Sequence, residues 1–190
     1  ITKSGARPGD VLVLTKALGT GTVLAADMAL ARLPGLILGE AVAACFASMT
    51  TSLSPAATAL GAVAHAMTDV TGFGLLGHCI EMANASNLSI ELLYNNINCF
   101  DGVATCLQQF VYPDMTTKNF QSYQNQVTTL TAEQLLILCD PQTNGGLLIA
   151  VDAAHKQDYI ELAKSNGLDE IFWQPIGSFT ARKEKTIHVL

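Results

Sequence analysis

Thr68-Asp-Val-Thr-Gly-Phe-Gly-Leu-Leu-Gly-His78 sets an acid, Asp69, three residues ahead of a glycine series at Gly72, Gly74 and Gly77. The core of this stretch, GFGLLG, has the spacing G-x-G-x-x-G. In a dinucleotide-binding βαβ unit that spacing directly follows a strand, opens a helix, and is answered about 20 residues later by an acid for the ribose. The surroundings argue against that reading. His65–Thr71 reads as polar sequence following a helix, and the next strand, from Leu88, runs out into asparagines with Glu91 inside it and too early. A phosphate-binding P-loop is excluded more simply, because no Gly-Lys-Ser/Thr follows the glycines. Local physics remains. Glycines at a helix start leave backbone N–H groups open, and the helix dipole favours an anion there. Asp69 would repel a bare phosphate but suits one that arrives with Mg²⁺, because that hard cation takes carboxylate and phosphate oxygens together. On the local residues two readings stay open: a Mg-nucleotide ligand, or a cap of the following turn.

Outward from this loop, the elements come as a cluster of helices followed by mostly late strands. Asp10–Lys16 is an apolar, β-branched run after a Pro-Gly turn and reads as a buried strand, with Leu18–Thr22 as a glycine turn behind it. Val23–Arg32, Leu38–Thr51 and a segment from Ser54-Pro55 to about Met67 read as helices, the last with Ser as N-cap and Pro at the first turn. Gly74–Ala85 and Phe100–Phe110 also read as helical, and Leu88–Tyr94 as a strand. Tyr112–Thr129 is polar and reads as a long loop. Thr131–Gln134 is a capping-box pattern opening a helix through Cys139. Asp140–Gly146, DPQTNGG, reads as a turn cluster before the strand Leu147–Asp152; Asp152 then caps a helix to about Ser165, ended by Asn166-Gly167. Strands at Ile171–Phe179 and Thr186–Leu190, joined by a turn at Thr180–Lys185, close the chain. This order is not a regular βαβ alternation. It predicts an α+β fold, a mixed β-sheet covered by a cluster of helices.

Composition narrows the function classes. In 190 residues, 49% are hydrophobic and only 14% charged, enough for one sizeable core and for a face that wants a partner. The net charge is −6 with no Lys/Arg cluster, which argues against nucleic acid and anionic membranes as partners. The five cysteines are odd in number and lack C-x-x-C spacing, so reduced and mostly buried thiols are expected rather than disulfides or structural zinc. Ala41–Thr68 carries no Asp, Glu, Lys or Arg, but Ser48, Thr50, Thr51, Ser52, Ser54 and Pro55 interrupt it; two buried helices, not a membrane span, are expected, and no signal peptide is visible. The chain begins without Met and runs straight into a strand, which reads as a piece of something longer. Cys79 has nothing basic around it to lower its pKa and is not a nucleophile candidate. His65 reads as packing or surface, and His78 as structural. Two further turns are open to a structural or a site-lining reading: Leu18–Gly21, and DPQTNGG with Thr143 and Asn144.

Taken together, SGARPGDVLVLTKALGTG, TDVTGFGLLGH and DPQTNGGLLIAV resemble the selenophosphate synthetase (selenide, water dikinase) family, in that order and at appropriate separations, essentially end to end. The match is to that family's C-terminal half, within the superfamily of aminoimidazole ribonucleotide synthetase. The resemblance implies conversion of ATP, selenide and water to selenophosphate, AMP and phosphate with Mg²⁺, in a cytoplasmic homodimer assembled largely through an N-terminal domain. It implies that residues 1–190 form a single C-terminal α+β domain whose partner is its own N-terminal half. It implies that Asp69 is a Mg²⁺ ligand and that Thr71, Gly72 and Gly74 shape the loop against the metal–phosphate cluster. The reactive Cys or selenocysteine, the catalytic Lys, the other Mg²⁺ aspartates and most ATP contacts of that family belong to the N-terminal half, so this chain alone is expected to be inactive. Asn144 stands where serine is more usual. Two other classes remain as alternatives: a free-standing nucleotide-binding or regulatory module, and a related ATP-dependent synthetase acting on a purine or thiamine precursor.

Overall fold

β1 (Val11–Leu14) follows the Pro8-Gly9 turn and lies between two antiparallel neighbours, β4 (Leu147–Val151) and β5 (Gly177–Ala181). The computed structural model describes residues 1–165 and 174–190. β2 (Ala64–Asp69) adds antiparallel to β4, β3 (Leu88–Leu92) adds antiparallel to β5, and β6 (Ile187–Val189) adds parallel to β3. The resulting six-stranded mixed sheet has the order β2-β4-β1-β5-β3-β6.

Every residue of β4 is buried, because the strand is covered on both sides. Leu148 and Ala150 join the larger core, where α4 (Gly74–Ala85) packs through Leu75, Leu76, Cys79, Ile80, Met82 and Ala83. Leu147, Ile149 and Val151 face the opposite way, onto Ala56 and Leu60 of α3 (Ser54–Leu60) and Tyr159 and Ala163 of α8 (Lys156–Ser165). The period-two alternation of a strand thus feeds two hydrophobic layers. α1 (Thr20–Met28), α2 (Leu38–Thr50), α5 (Val103–Gln108), α6 (Asp114–Tyr123) and α7 (Ala132–Leu138) complete the helical cover. Thr131 and Gln134 form the anticipated reciprocal capping box at the start of α7. Asp152 accepts from the Ala154 N–H at 2.9 Å, and a short 3₁₀ turn intervenes before α8 begins.

The α+β reading therefore holds, with local corrections. The helix from Ser54 stops at Leu60 instead of running to Met67, and residues 64–69 are a strand. The segment taken for a long loop carries α6, whose buried stripe is Thr116, Asn119 and Tyr123. α1 starts within the LGTGT turn and ends at Met28. β5 runs to Ala181, past the expected turn start at Thr180, and the expected strand start at Ile171 and the helix stop at Asn166-Gly167 lie outside the described residues. Among the described residues no helix is long and apolar enough to cross a membrane.

Candidate functional site

The three conspicuous turns of the sequence meet at one end of the sheet. Asp69, the last residue of β2, sits opposite Leu147 at the start of β4. The Val70 N–H donates to Gly146 O and the Gly145 N–H to Val70 O, both at 2.9 Å, while the Gln142 N–H donates to Thr71 O at 3.1 Å. TDVTGFG and DPQTNGG are therefore hydrogen-bonded back to back. The end of β1 joins them: Thr15 N–H donates to Leu147 O at 3.1 Å, and its hydroxyl accepts from the Leu147 N–H at 2.8 Å.

Leu18–Gly21 is structural here. The side-chain oxygen of Gln142 accepts from the Gly19 N–H (3.1 Å), the Thr20 N–H (3.3 Å) and the Thr20 hydroxyl (3.1 Å). Its amide nitrogen donates to Asp140 Oδ2 at 2.7 Å, and the Thr22 hydroxyl donates to Asp140 Oδ1 at 2.8 Å. The open N–H groups at the start of α1 are thus met by side chains of the DPQ segment, in place of a ligand. Burial pushes the Asp140 carboxyl up to about 6, against the hydrogen bonds from Thr22, Gln142 and Gly21. Thr143 and Asn144 are likewise engaged with protein: the Thr143 N–H donates to Thr20 Oγ1, and Asn144 Nδ2 donates to Met49 O at 2.7 Å and Thr51 O at 2.9 Å. Buried Lys16 donates to the carbonyls of Ser48, Thr51 and Asn144, fastening the end of α2 to the same turn.

The Asp69 loop differs. Asp69 is exposed, and among the described residues its carboxylate takes no hydrogen bond or ion pair. A strand immediately precedes the glycines, which removes one of the two sequence grounds for setting aside a dinucleotide fingerprint. The second ground stands: β3 keeps Glu91 paired with Lys183 at 2.6 Å, away from any ribose role. Thr71 turns inward, its N–H donating to His78 Nε2 at 3.0 Å. Gly72 is open, with no atom within 4 Å of the place a Cβ would take. Gly74 is buried at φ +69°, and a Cβ there would lie 2.8 Å from Leu138 O and from the Cys139 carbonyl carbon, so glycine is required where α4 crosses the end of α7. Asp69, Thr71 and Gly72 therefore share one turn at the surface, and Gly74 fixes that turn from beneath.

Two further residues hold the turn, and both come from α6. Asn119 Nδ2 donates to Gly72 O at 2.8 Å and Cys139 O at 3.0 Å, and the Tyr123 hydroxyl donates to Phe73 O at 3.0 Å. His78 completes the clamp through Glu81 (Nδ1 to Oε2, 3.0 Å), which also pairs with Lys3 at 2.9 Å. Burial lowers the His78 proton affinity, opposed by the Glu81 carboxylate. His65, which reads as packing or surface, is half-buried and paired with buried Asp10 at 2.9 Å. All five cysteines are free; burial pushes Cys45 and Cys139 up to about 11, and Cys79 higher still, which suits packing and not nucleophilic chemistry.

As a metal site the turn is incomplete by itself. Among the described residues no group of three or more His, Cys, Asp or Glu could hold a metal ion. One exposed, unpaired carboxylate fits a cation whose remaining ligands are phosphate oxygens, waters or carboxylates from elsewhere, and the positive end of α4 that follows favours the phosphate.

A selenide, water dikinase of Haemophilus influenzae is 43% identical over 87% of this chain and 47% of its own length. The chain spans about half the length of the curated relatives it matches. Among solved structures, thiamine-monophosphate kinase from Stenotrophomonas maltophilia superposes with a TM-score of 0.68 at 18% identity, over 100% of this chain and 52% of its own. The hydrogenase maturation protein HypE, solved in complex with ATP, gives 0.65 at 15% identity, over 96% and 46%. The family model described as AIR synthase related protein, C-terminal domain, matches residues 7–190, and the chain belongs to that family.

Proposed function

We propose that this chain is the C-terminal domain of a selenide, water dikinase, in which ATP, selenide and water give selenophosphate, AMP and phosphate. The observation that carries the reading is the exposed, unpaired Asp69 carboxylate on a turn clamped from three sides, in a chain that is 43% identical to a selenide, water dikinase over most of its length. Asp69 would hold Mg²⁺, and the ion would supply neutralisation of phosphate charge there. The chain's own residues do the positioning. The back-to-back turns fix the end of β2, Asn119 and Tyr123 restrain the Gly72 and Phe73 carbonyls, and open Gly72 admits a phosphate close to the backbone. Completion of the site falls to carboxylates and a nucleophile outside this chain, so the chain alone is inactive in this reading.

The test is selenide-dependent conversion of ATP to AMP by the full-length protein. Asp69→Asn is expected to lower Mg²⁺-dependent turnover by about 100-fold or more, on the scale of losing one charge-stabilising group. The thermal midpoint should stay put, because Asp69 is exposed and surface changes usually stay within about 0.5 kcal/mol. Near-normal turnover in the variant would remove Asp69 from the site. Selenide-independent turnover on a purine or thiamine precursor would assign the chain to a related ATP-dependent synthetase.

A further inference from the structure

We propose that His78 is the positioning residue of the Asp69 loop, acting as a neutral acceptor that fixes the Thr71 peptide and thereby the direction of the metal-binding carboxylate. The inference rests on the assignment of Asp69 to a metal–phosphate contact. It deepens that assignment by naming what aims the ligand.

The chemistry of the contacts decides the protonation state. A backbone amide can only donate, so the 3.0 Å contact from the Thr71 N–H requires an unprotonated Nε2. The ring proton then sits on Nδ1, 3.0 Å from Glu81 Oε2, an acceptor. Which imidazole nitrogen carries the proton is set by the bond the other nitrogen makes. Glu81 is held in turn by Lys3 at 2.9 Å. His78 itself is buried, and the Phe73 ring lies against it with centroids 5.9 Å apart. The ring has little freedom to turn.

Thr71 is the pivot between Asp69 and the glycines. Its carbonyl accepts from Gly74 N–H at 3.0 Å and Gln142 N–H at 3.1 Å, and its N–H is taken by His78. Both ends of the residue are thus fixed in space, two positions from the carboxylate. The Thr71 hydroxyl lies 3.2 Å from the same Nε2 and must share a single lone pair with the N–H. It is the weaker contact, and the group of the two that can turn toward a ligand. A chain of contacts therefore runs Lys3–Glu81–His78–Thr71 and ends beside Asp69, in the manner of the outer groups that orient ligands in metal sites.

The test measures Mn²⁺ binding by electron paramagnetic resonance of the free ion, using the full-length protein with a non-hydrolysable ATP analogue. His78→Leu removes the acceptor and is expected to weaken Mn²⁺ binding about 10- to 100-fold, the usual effect of losing an orienting partner. His78→Gln offers a side-chain oxygen to the Thr71 N–H and is expected to stay within about threefold of the parent protein, on the same scale. Leu binding as tightly as the parent, or Gln binding as weakly as Leu, overturns the proposal. Asp69→Asn in the same assay separates the two readings: if it leaves Mn²⁺ binding unchanged, the metal assignment itself fails, whatever His78 does. Should His78→Leu not fold, two-bond ¹H–¹⁵N correlation spectra of the parent protein decide, with the proton expected on Nδ1 of His78. A proton on Nε2 overturns the proposal.

Discussion

Asp140 offers a direct check on the electrostatics of the turn cluster. Its carboxyl is 1% exposed, bonded to Thr22 and Gln142, and raised by burial from 3.8 to about 6. The folded protein then holds a proton more tightly than the unfolded chain. Stability is fully present below pH 4 and falls as pH rises through about 6, because the unfolded state gives up that proton first. A shift of about two units corresponds to about 3 kcal/mol. Asp140→Asn abolishes the titration. Whichever way the amide turns, its NH₂ group replaces one acceptor oxygen and faces a donor, either Gln142 Nε2 or the Thr22 and Gly21 N–H groups, a pH-independent penalty of about 1–3 kcal/mol. The variant's absolute stability is therefore no guide, whereas the difference between the two proteins is. Between pH 4 and pH 7 that difference should move by about 3 kcal/mol in the variant's favour, or about 6–12 °C in thermal midpoint for a domain of this size. Other titrating groups, His78 among them, are common to both proteins and cancel. Urea unfolding at intervals of pH measures it, and ¹³C titration of the carboxyl gives the midpoint directly. Parallel stability curves for the two proteins, or a midpoint near 4, would refute the reasoning.

Two other substitutions probe the loop from beneath. Gly74→Ala places a Cβ against the Leu138 and Cys139 backbone at a left-handed φ, and should cost roughly 2–5 kcal/mol, the sum of the conformational and overpacking penalties. A loss below 1 kcal/mol in urea unfolding would mean that α4 and α7 are not so tightly crossed. Asn119→Ala strands the Cys139 carbonyl and should cost about 1–3 kcal/mol, while Asn119→Asp, which turns an acceptor toward two carbonyls, should cost more. The reverse order would show that Asn119 does not act as a donor.

How much of this was legible in the sequence depended on what each element buries. β1, β4 and α4 bury large apolar side chains in a regular period, and each was visible. β2 and α6 were not, and both hold the candidate site. β2 buries Ala66 and Thr68, small residues whose alternation is faint, inside an uncharged Ala-rich run that favours a helical reading. α6 buries Thr116, Asn119 and Tyr123 at helical spacing, a polar stripe that a search for hydrophobic period passes over. The remaining signals at its start were Pro113 and Asp114, the latter an acid in the first turn. Asn119 is polar because its task is to hold two carbonyls, so the function of the helix is what concealed it.

The same logic separates the glycine turns from one another. Asp140 and Asp69 are both acids ahead of glycines in a turn, one leading into the strand β4 and the other into the helix α4, and on sequence alone each turn is open to a structural or a site reading. Asp140 is folded inward onto the start of α1, with Gln142 beside it, so that helix end is met by the protein itself. Asp69 is left outside, although the backbone behind it is restrained at four points: His78, Asn119, Tyr123 and Gln142 each hold one group of Thr71, Gly72 or Phe73. Restraining a loop costs conformational entropy, on the order of 1–2 kcal/mol per residue. Folding alone does not require that restraint around an exposed carboxylate with no protein partner. A ligand that needs the carboxylate pre-aimed does, because rigidity set during folding need not be supplied again on binding. The restraint around Asp69, more than the glycine spacing, is what supports the proposal that this turn meets a ligand.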